Sequence, residues 1–531
     1  MLISATRSPK EQGAITRREF PILPKTNGRP RRPLSFVIVW FSGDYFHNIL
    51  RSECVNDPLN QLITIDNRNN IFYDNLSEAV NAGIAQAQHE LIAVVHEDVL
   101  LPDGWQRQFE QSLAELEKDD PDWGMVGSVG WTDGGDITGH WSDPHGYSNR
   151  LNGRKYVEVA RLDEQLMVLR KSANVQFDDL LPSIHHIGRD MASTLLARSR
   201  KTYAVDAPTI HKYANEYGDL IEVPEDSPKI RDRKIPAFVA DMVCSEEYLY
   251  RKWPNWRAQC ENTLSRAISP TARGDLLNRP IVLLARGGSG SRLLSTLVAD
   301  AGVFLGSDIN VSGDAMEMVQ AIYKGVLNKF QRRAQFQKDG IVPEIRESAT
   351  RMLQKGQPQG LWGFKLPESI LLLPELDAAF SDARYIHLLR DPLATCLRRT
   401  HMTARFDNPI GRVAIPLAYR HCGIEPEQSL SDSPALNMAY TTIQQIATTR
   451  AYARDHLNGR YLEVRFEDLL NTPSAMITTV TRWLGTAAVD NTLESVIETD
   501  RAAQPHHQYL TEVEEEVKLI LAPLRKDLGY I

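Results

Sequence analysis

Two stretches of the chain each begin with a short apolar run and then alternate between strand and helix patterns. The first stretch begins at Leu34 and the second at Pro280. Such apolar runs are typical of strands buried on both faces, and their alternation with helices is typical of parallel α/β sheets. A chain of 531 residues also exceeds what one hydrophobic core usually organises. The sequence therefore predicts an α/β protein with two domains.

Composition along the chain predicts where the domains lie. Residues 1–33 contain arginines and prolines but no apolar core like that of a signal peptide, which predicts a flexible tail. We expect domains at 34–225 and 278–531, joined by a helical connector at 226–277. Residues 268–280 are rich in residue types that end helices and form turns, so they predict the boundary before the second domain.

Charge and cysteine content limit the partners and the compartment. A formal net charge of −8 gives no general electrostatic reason to bind nucleic acid or an anionic membrane. The five scattered cysteines lack metal-ligand or disulfide spacing, which favours a reducing compartment. No apolar run approaches the roughly 20 residues that span a bilayer. We therefore expect a cytoplasmic protein without a membrane span, in which any anion site is local.

A glycine-rich turn follows the second apolar run. Pro280–Ala285 predicts a buried strand, and Arg292–Ala301 has the spacing of a helix. Such a turn lets backbone N–H groups converge at the positive end of a helix, where phosphate or sulfate binds. It has no Walker lysine, which argues against a nucleotide kinase or NTPase. The turn and the first helical residue are Arg286, Gly287, Gly288, Ser289, Gly290, Ser291 and Arg292.

This turn resembles the 5′-phosphosulfate loop of sulfotransferases, and later segments match the family in the same order. Arg384–Leu389 predicts a buried strand that ends at Arg390-Asp391-Pro392, which is similar to the motif whose arginine clamps the nucleotide 3′-phosphate. Tyr461–Leu470 resembles the family's Tyr-Glu-Asp-Leu strand end, with Phe466 in place of tyrosine, and the chain closes in Leu528-Gly529-Tyr530 as many members do.

The resemblance implies a P-loop-like sulfotransferase domain with a parallel sheet, whose donor is 3′-phosphoadenosine-5′-phosphosulfate (PAPS). It also implies that residues 286–292 and Arg390 bind this donor. The family usually has a serine eight residues after the arginine, whereas this chain has Arg398, with Thr395 nearby. The 3′-phosphate contact is therefore expected to differ, with Arg398 as a candidate.

Sulfuryl transfer requires cations near the bridging oxygen and a base for the acceptor hydroxyl. Arg286 and Lys365 are the candidate cations, Lys365 because its Lys-x-Pro setting resembles that of a catalytic lysine in tyrosylprotein sulfotransferase. The alternative for Lys365 is a solvated loop lysine. Three carboxylates follow the predicted helix Arg292–Ala301, and Asp308 is favoured as the base over Asp314 and Glu317. The alternative is a helix cap, because aspartates in turns often have only that role.

Polar residues also end the strands predicted in the first domain. Leu62–Asn67 contains Asp66, and the apolar strand Leu91–Val95 is followed by His96-Glu97-Asp98. Because the carboxyl ends of parallel strands form the usual ligand crevice, these side chains predict a binding site at that edge. Val157–Arg170 is the predicted strand on the acceptor side.

This order resembles the GT-A (Rossmann-like) fold of family 2 glycosyltransferases. In that family an Asp-x-Asp motif holds a divalent cation on the diphosphate of a nucleotide-sugar. Here His96 replaces the first aspartate, and Mn²⁺ tolerates imidazole beside the Asp98 oxygen. The resemblance implies Mn²⁺ or Mg²⁺ on Asp98, His96 and His211, donor contacts from Asp66 and Asp98, and Asp190 as general base. The alternatives are ordinary strand-end histidines and a helix cap at Asp190.

Together these observations predict a bifunctional transferase, of the kind used in polysaccharide biosynthesis. It would add a sugar from a nucleotide-sugar and transfer sulfate from PAPS to a hydroxyl of a glycan or glycoconjugate acceptor. One alternative is a sulfotransferase whose GT-A domain only binds glycan. Another is a non-enzymatic nucleotide-binding scaffold, suggested by the departures at Arg398 and Phe466.

Overall fold

A computed structural model of the protein contains two compact units. Among the described residues, the first unit comprises 32–211 and 245–253, and the second comprises 228–244 and 274–531. The described part of the predicted connector is therefore divided between the units. Most of the predicted tail and of the predicted boundary at 268–280 lies outside the described residues, which are 32–41, 48–143, 146–211, 228–253, 274–330, 341–398, 400–486 and 511–531.

The first unit combines many short strands with three helices of its own in the described residues. Its strands are β1 Leu34–Trp40, β2 Gln61–Asp66, β3 Leu91–Val95, β4 Val99–Leu100, β5 Met125–Gly127, β6 Val129–Trp131, β7 Ile137–Asp143, β8 Gly146–Asn149, β9 Tyr156–Glu158, β10 Arg161–Leu162, β11 Leu166–Arg170, β12 Thr202–Val205 and β13 Thr209–His211. Its helices are α1 Leu76–Ile84, α2 Trp105–Asp119 and α3 Ile187–Leu196, with 3₁₀ turns at Ile49–Arg51, Arg68–Asn70 and Lys171–Ala173.

The main sheet of this unit has the order β2-β1-β3-β11-β5-β12-β9. Its β1, β2 and β3 are parallel, whereas β11 runs antiparallel to β3 and β5. Alternate residues of β1 enter different cores: Val37 packs towards α1 and α3, and Phe36 packs towards α2. Burial on both faces explains the continuous apolar run. A smaller sheet has the order β10-β6-β7-β13-β4, with β8 paired to β7.

One predicted strand of this unit is wrong in its extent. Val157–Arg170 is divided into β9, β10 and β11. The Asp163 carboxylate accepts a hydrogen bond from the Gln165 backbone N–H at 3.1 Å, which forms a turn between β10 and β11. Local side-chain bonding therefore interrupts the run: β9 and β11 join the main sheet at different positions, and β10 joins the smaller sheet.

The second unit is built from four strands and many helices in the described residues. Its strands are β14 Ile281–Ala285, β15 Gly363–Lys365, β16 Arg384–Leu389 and β17 Tyr461–Arg465. Its helices are α4 Pro228–Lys252 (residues 228–244), α5 Gly274–Leu277, α6 Ser291–Asp300, α7 Met316–Phe330, α8 Ile341–Gly356, α9 Leu373–Ala379, α10 Pro392–Arg398, α11 Pro409–His421, α12 Pro434–His456, α13 Phe466–Asn471, α14 Pro473–Leu484 and α15 Thr511–Asp527. Its 3₁₀ turns are Pro367–Leu372, Met402–Ala404 and Pro426–Leu430.

The sheet of the second unit has the order β15-β14-β16-β17, and all its pairings are parallel. Val282 and Leu284 of β14 enter the core that contains α7 and α8, whereas Ile281 and Leu283 pack against α6 and α14. The α/β class predicted from the apolar runs is therefore confirmed. Because the strands are parallel, their carboxyl ends all lie at one edge.

Two smaller observations complete the description of the chain. Among the described residues, none of the helices combines the length and the apolar character that crossing a bilayer requires. The described cysteines, Cys54, Cys244, Cys396 and Cys422, form no disulfide bond with one another.

Strand β16 contains a buried histidine that makes stability depend on pH. His387 Nδ1 lies 2.6 Å from the Tyr461 hydroxyl. Burial, with a smaller contribution from Arg450, lowers the pKa of His387 from 6.5 to about 3. Between these two pKa values, His387 is protonated in the unfolded chain but stays neutral in the folded chain. We therefore expect the free energy of unfolding to fall as pH drops through this window, by up to about 1.4 kcal/mol per pH unit.

Calorimetric unfolding of wild type, His387→Gln and His456→Gln between about pH 7.5 and about pH 5 measures this effect. The glutamine at 387 should flatten the pH dependence. His456, which is exposed at the end of α12, is the matched control and should leave it unchanged. Equal slopes in wild type and His387→Gln would contradict the assignment.

Candidate functional site

Four segments that the sequence singles out lie at the same edge of the second unit's sheet. Strand β14 leads into the glycine-rich turn, β15 ends at Lys365, β16 leads into Arg390, and β17 leads into Phe466. They converge because the strands between them are parallel and in adjacent positions. The edge therefore combines a helix N-terminus with cationic side chains, which is suited to an anionic ligand.

Two glycines of the turn allow close packing that a larger residue would prevent. Gly290 has a φ of +90° and precedes α6, and a Cβ there would lie 2.3 Å from Cε2 of Phe466. A Cβ at Gly287 would lie 2.2 Å from the ring of His401. The turn thus packs against the rings of Phe466 and His401, which restrict its backbone at the start of α6.

Ser289 places a polar atom in this turn without a partner among the described residues. The residue is 2% exposed, and its Oγ accepts and donates no hydrogen bond there. A buried hydroxyl without a partner destabilises a fold by about 1–3 kcal/mol. The first N–H groups of a helix such as α6 also lack intrahelical acceptors. A bound phosphate or sulfate would satisfy both, so the residues present fit the 5′-phosphosulfate group of PAPS.

The side chain of Arg286 is buried and is bonded to threonine hydroxyls outside the glycine-rich turn. Its guanidinium donates to Thr403 Oγ1 at 2.6 Å, to Thr441 Oγ1 at 2.8 Å and to Thr442 Oγ1 at 3.2 Å. Burial lowers the pKa of Arg286 to about 10, so the group remains charged at neutral pH. These bonds anchor the turn to α12 and to the 3₁₀ turn at Met402–Ala404. Direct contact between Arg286 and a sulfuryl group stays a prediction.

Lys365 lies in a buried ion pair. Its Nζ is 2.7 Å from Asp314 Oδ1 and also donates to the Ser312 carbonyl oxygen. The lysine is 2% exposed, and Asp314 is fully buried. A solvated loop lysine would show neither feature, so the structure contradicts that alternative. Charge held in dry surroundings acts strongly on charge that develops nearby.

The three candidate bases lie in different environments. Asp308 is exposed. Glu317 Oε1 accepts the backbone N–H groups of Ser307 and Asp308, both at 2.9 Å, and so supports the segment before α7. Asp314 is the carboxylate that contacts Lys365. Of the three, Asp314 is therefore the one that the fold places beside a candidate catalytic cation.

Arg390 lies over the ring of Phe466, with its guanidinium carbon 4.4 Å from the ring centroid. Phe466 also contacts Gly290, so one ring touches both the turn and the arginine. Stacking on an aromatic face fixes the guanidinium plane. Thr395 Oγ1 donates to the Asp391 carbonyl at 3.1 Å. The side chain of Arg398 lies outside the described residues, so its role stays a prediction.

In the first unit the structure brings His96, Asp98 and His211 together. Asp98 Oδ1 lies 3.9 Å from His96 Nδ1 and 3.5 Å from His211 Nε2. One ligand atom from each residue lies within 4.8 Å of the others. The cluster forms because β3 ends just before His96, and β4 pairs with β13 in a register that places His211 opposite Val99. Two imidazoles and a carboxylate suit Mn²⁺ or Zn²⁺.

The other two residues predicted for this unit are engaged in ion pairs. Asp66 ends β2 at the same edge of the sheet and is bonded to Arg68, at 2.8 Å from Oδ2 to Nη2. Asp190 is buried in the first turn of α3, where Lys252 Nζ and the Trp253 ring N–H each bind one carboxylate oxygen, at 2.7 and 2.8 Å. The Asp190 carboxylate is thus held by two hydrogen-bond donors. Its role as a general base stays a prediction.

The sequence analysis did not predict a second cluster of polar side chains in the first unit. His140 Nδ1 lies 2.7 Å from Asp206 Oδ1, and Lys155 Nζ lies 2.8 Å from Asp206 Oδ2. Burial raises the pKa of Asp206, but the bonds from His140 and Lys155 outweigh it and lower the pKa to about 2. The residues are up to 66 positions apart, so no local pattern could have revealed the group.

Comparison with known families adds an independent observation about the second unit. Residues 314–490 match the model of the sulfotransferase family. This part of the second unit is therefore similar to a sulfotransferase domain. The matched residues include Lys365, Arg390 and Phe466, whereas the glycine-rich turn precedes them and joins the site through the pairing of β14 with β15 and β16.

Solved structures show remote likenesses to parts of the chain, whereas no curated protein matches the chain in sequence. A sulfotransferase domain from the curacin biosynthetic pathway is 16% identical, with a TM-score of 0.28, over 46% of this chain and 96% of that one. The Mycobacterium tuberculosis sulfotransferase STF1 is 13% identical, with a TM-score of 0.32, over 56% and 86%. The Pyrobaculum calidifontis mannosyltransferase PcManGT, solved with GDP-Man and Mn²⁺, is 10% identical, with a TM-score of 0.26, over 43% and 66%.

The packing of Phe466 against the turn can be tested in the second unit by comparing two glycines. Gly290 and Gly302 both have φ near +90°, but a Cβ at Gly302 would meet nothing within 4 Å. Gly302→Ala should lower the free energy of unfolding by about 1–2 kcal/mol, from backbone strain alone. Gly290→Ala should lower it further, because Phe466 must also move. Equal melting temperatures for the two variants would contradict the packing.

Proposed function

We propose that the second unit is a PAPS-dependent sulfotransferase that transfers a sulfuryl group to a hydroxyl of a glycan or glycoconjugate. The observation that supports this best is the convergence of the glycine-rich turn, Lys365 and Arg390 at one edge of a parallel sheet, in a unit that matches the sulfotransferase family. Ser289, buried without a partner in the described residues, adds a polar atom that a ligand oxygen would satisfy.

Binding of the donor divides between two parts of this edge. The turn and the N-terminus of α6 offer backbone N–H groups to the 5′-phosphosulfate. Arg390 would bind the 3′-phosphate, since a guanidinium fork makes paired, charge-assisted hydrogen bonds to phosphate oxygens. Contact with the Phe466 ring restricts the Arg390 guanidinium before the donor binds. This restriction would reduce the entropy lost when phosphate binds.

Lys365 and Asp314 would carry the chemistry. The acceptor oxygen forms a bond to sulfur while the bond from sulfur to the 5′-phosphate oxygen breaks, and adenosine 3′,5′-bisphosphate leaves. Lys365 would stabilise the charge that develops on this leaving oxygen. The acceptor hydroxyl must also lose its proton, and Asp314, the partner of Lys365, would receive it once Lys365 turns to the leaving group. Asp308, which the sequence favours, remains the alternative base.

The donor site can be tested with adenosine 3′,5′-bisphosphate and the intact chain. We expect this ligand to raise the melting temperature of wild type, because it binds only the folded state. Arg390→Ala should weaken binding by about 10- to 100-fold, since it removes charge-assisted hydrogen bonds. Isothermal titration calorimetry measures the dissociation constants.

Arg454→Ala is the control for loss of one positive charge, because this arginine lies on α12 with its side chain 74% exposed. It should bind the bisphosphate as wild type does. No binding by wild type would refute the proposed donor, and an equal loss in both variants would show that only net charge matters.

For the first unit we propose divalent-metal-dependent binding of a nucleotide-sugar and transfer of the sugar. The cluster of His96, Asp98 and His211 at the edge of a partly parallel sheet supports this second function. These three residues would hold Mn²⁺ or Mg²⁺, and the cation would neutralise the diphosphate of the donor. Asp66 lies at the same edge, two strands away, at a distance of about 10 Å given the strand spacing.

Two narrower functions for the first unit predict different results. A unit that only binds glycan would bind no nucleotide in the presence of metal. A scaffold without enzymatic activity would bind nucleotides in both units but release no bisphosphate from PAPS. The two-enzyme proposal predicts metal-dependent nucleotide binding in the first unit and PAPS turnover in the second.

Titration with Mn²⁺, alone and with UDP or GDP, tests the metal cluster. Asp98→Asn should weaken Mn²⁺ binding by about tenfold or more, because it removes the ligand with the negative charge. Asp133→Asn changes an exposed carboxylate outside the cluster and should have no effect. Electron paramagnetic resonance of free Mn²⁺ gives the bound fraction. Identical curves for wild type and Asp98→Asn would refute the site.

A further inference from the structure

The residue after Arg390 is tied to the last helix of the chain. Asp391 forms a two-pronged ion pair with Arg525 of α15, with Oδ1 to Nε at 2.9 Å and Oδ2 to Nη2 at 3.0 Å. Both side chains are partly buried, at 17% exposed for Arg525 and 22% for Asp391. Parallel pairing of both prongs fixes the angle between the groups as well as their distance.

The start of α13, which directly follows β17, is held by the same terminal segment. Glu467 Oε1 accepts the Asp391 backbone N–H at 3.0 Å, and its Oε2 accepts the Tyr530 hydroxyl at 2.9 Å. Arg465 donates to the Leu528 carbonyl oxygen and lies 4.9 Å from the ring of Tyr530. Residues at the end of the chain are therefore bonded to the segments that directly flank Arg390 and Phe466.

Apolar packing extends the same connection. Leu524 and Leu528 form a cluster with Leu389, which directly precedes Arg390. Val517 and Leu521 of α15 share a core with Leu397 of α10, the helix that follows Arg390. The segment that contains Arg390 is thus held on both sides by residues 511–530, which lie beyond the end of the family match at residue 490.

Charge gives Arg525 a second effect at this position. Asp391 is adjacent in sequence to the arginine that would bind the 3′-phosphate, so its carboxylate would repel that phosphate if it were not neutralised. Arg525 neutralises it in a partly buried setting, where screening by water and salt is weak. Loss of Arg525 would therefore both free the turn and leave a negative charge beside Arg390.

We propose that the C-terminal segment 511–530 positions Arg390, the residue that would bind the 3′-phosphate of the donor. Through Arg525, this segment determines selectivity for nucleotides that carry a 3′-phosphate. This inference rests on the proposed sulfotransferase function. Arg525 is a positioning residue, because it acts on the ligand through Asp391 and Arg390. The site thus includes a pair of residues 134 positions apart.

Two ligands separate this role from a general contribution to folding. Adenosine 3′,5′-bisphosphate carries the 3′-phosphate, whereas adenosine 5′-monophosphate lacks it and shares the remainder. We expect Arg525→Ala to weaken binding of the bisphosphate by about tenfold while binding of the monophosphate stays within about twofold of wild type. Calorimetric titration of the full chain gives the ratio of the two dissociation constants.

Three further variants sharpen the result. Lys526→Ala removes an exposed charge from the adjacent position of α15 and should keep the wild-type ratio. Arg525→Lys keeps the charge without the planar fork and should recover part of the lost affinity. Asp391→Asn combined with Arg525→Ala removes the repelling carboxylate and should also recover part of the bisphosphate affinity.

The outcomes are distinguishable. A parallel loss of both ligands in Arg525→Ala, with a lower melting temperature, would mean that Arg525 only stabilises the fold and would overturn the inference. An unchanged ratio would overturn it as well, while bisphosphate binding by wild type would keep the proposed function. If wild type binds no bisphosphate, the proposed function fails first and the inference fails with it.

Discussion

The ring of Phe466 is the contact on which the arrangement of the second unit's site depends. It fills the space in front of Gly290 and lies under the guanidinium of Arg390. The turn that begins α6 and the arginine that follows β16 therefore both contact the same aromatic ring. Because the ring is buried and the strands on each side are paired in parallel, neither segment can shift without moving the other. The tyrosine expected at this position would add a hydroxyl, whereas phenylalanine retains the aromatic face.

The same edge contains two buried cations that are stabilised in different ways. Arg286 is surrounded by threonine hydroxyls, which satisfy its N–H groups and add no opposite charge. Lys365 is paired with a carboxylate. The first arrangement suits a permanent anchor, and the second suits a group whose partner can exchange a proton during a reaction. The fold thus gives different surroundings to two residues that the sequence presents as equivalent cations.

The two units use a common principle with different side chains. In each, consecutive parallel strands deliver polar residues to one edge of a sheet that is buried on both faces. In the second unit these residues are mainly cations and backbone donors, which suit an anion. In the first they are His96 and Asp98, which follow β3, and the pairing of β13 with β4 adds His211 from the smaller sheet. Two imidazoles and a carboxylate suit a metal ion that would itself bind an anion.

Local patterns in the chain were sufficient to locate the most apolar strands and the turn. The apolar runs at Leu91–Val95 and Arg384–Leu389 coincide with β3 and β16, because burial on both faces leaves a continuous apolar signature. The glycine-rich turn and the order of the later motifs likewise follow from adjacent residues. What required the folded chain was every pairing over a long separation: Lys365 with Asp314, Arg286 with Thr403, and Asp391 with Arg525. Those contacts are set by how strands and helices pack, and residues that meet only after packing carry no common pattern in the amino-acid order.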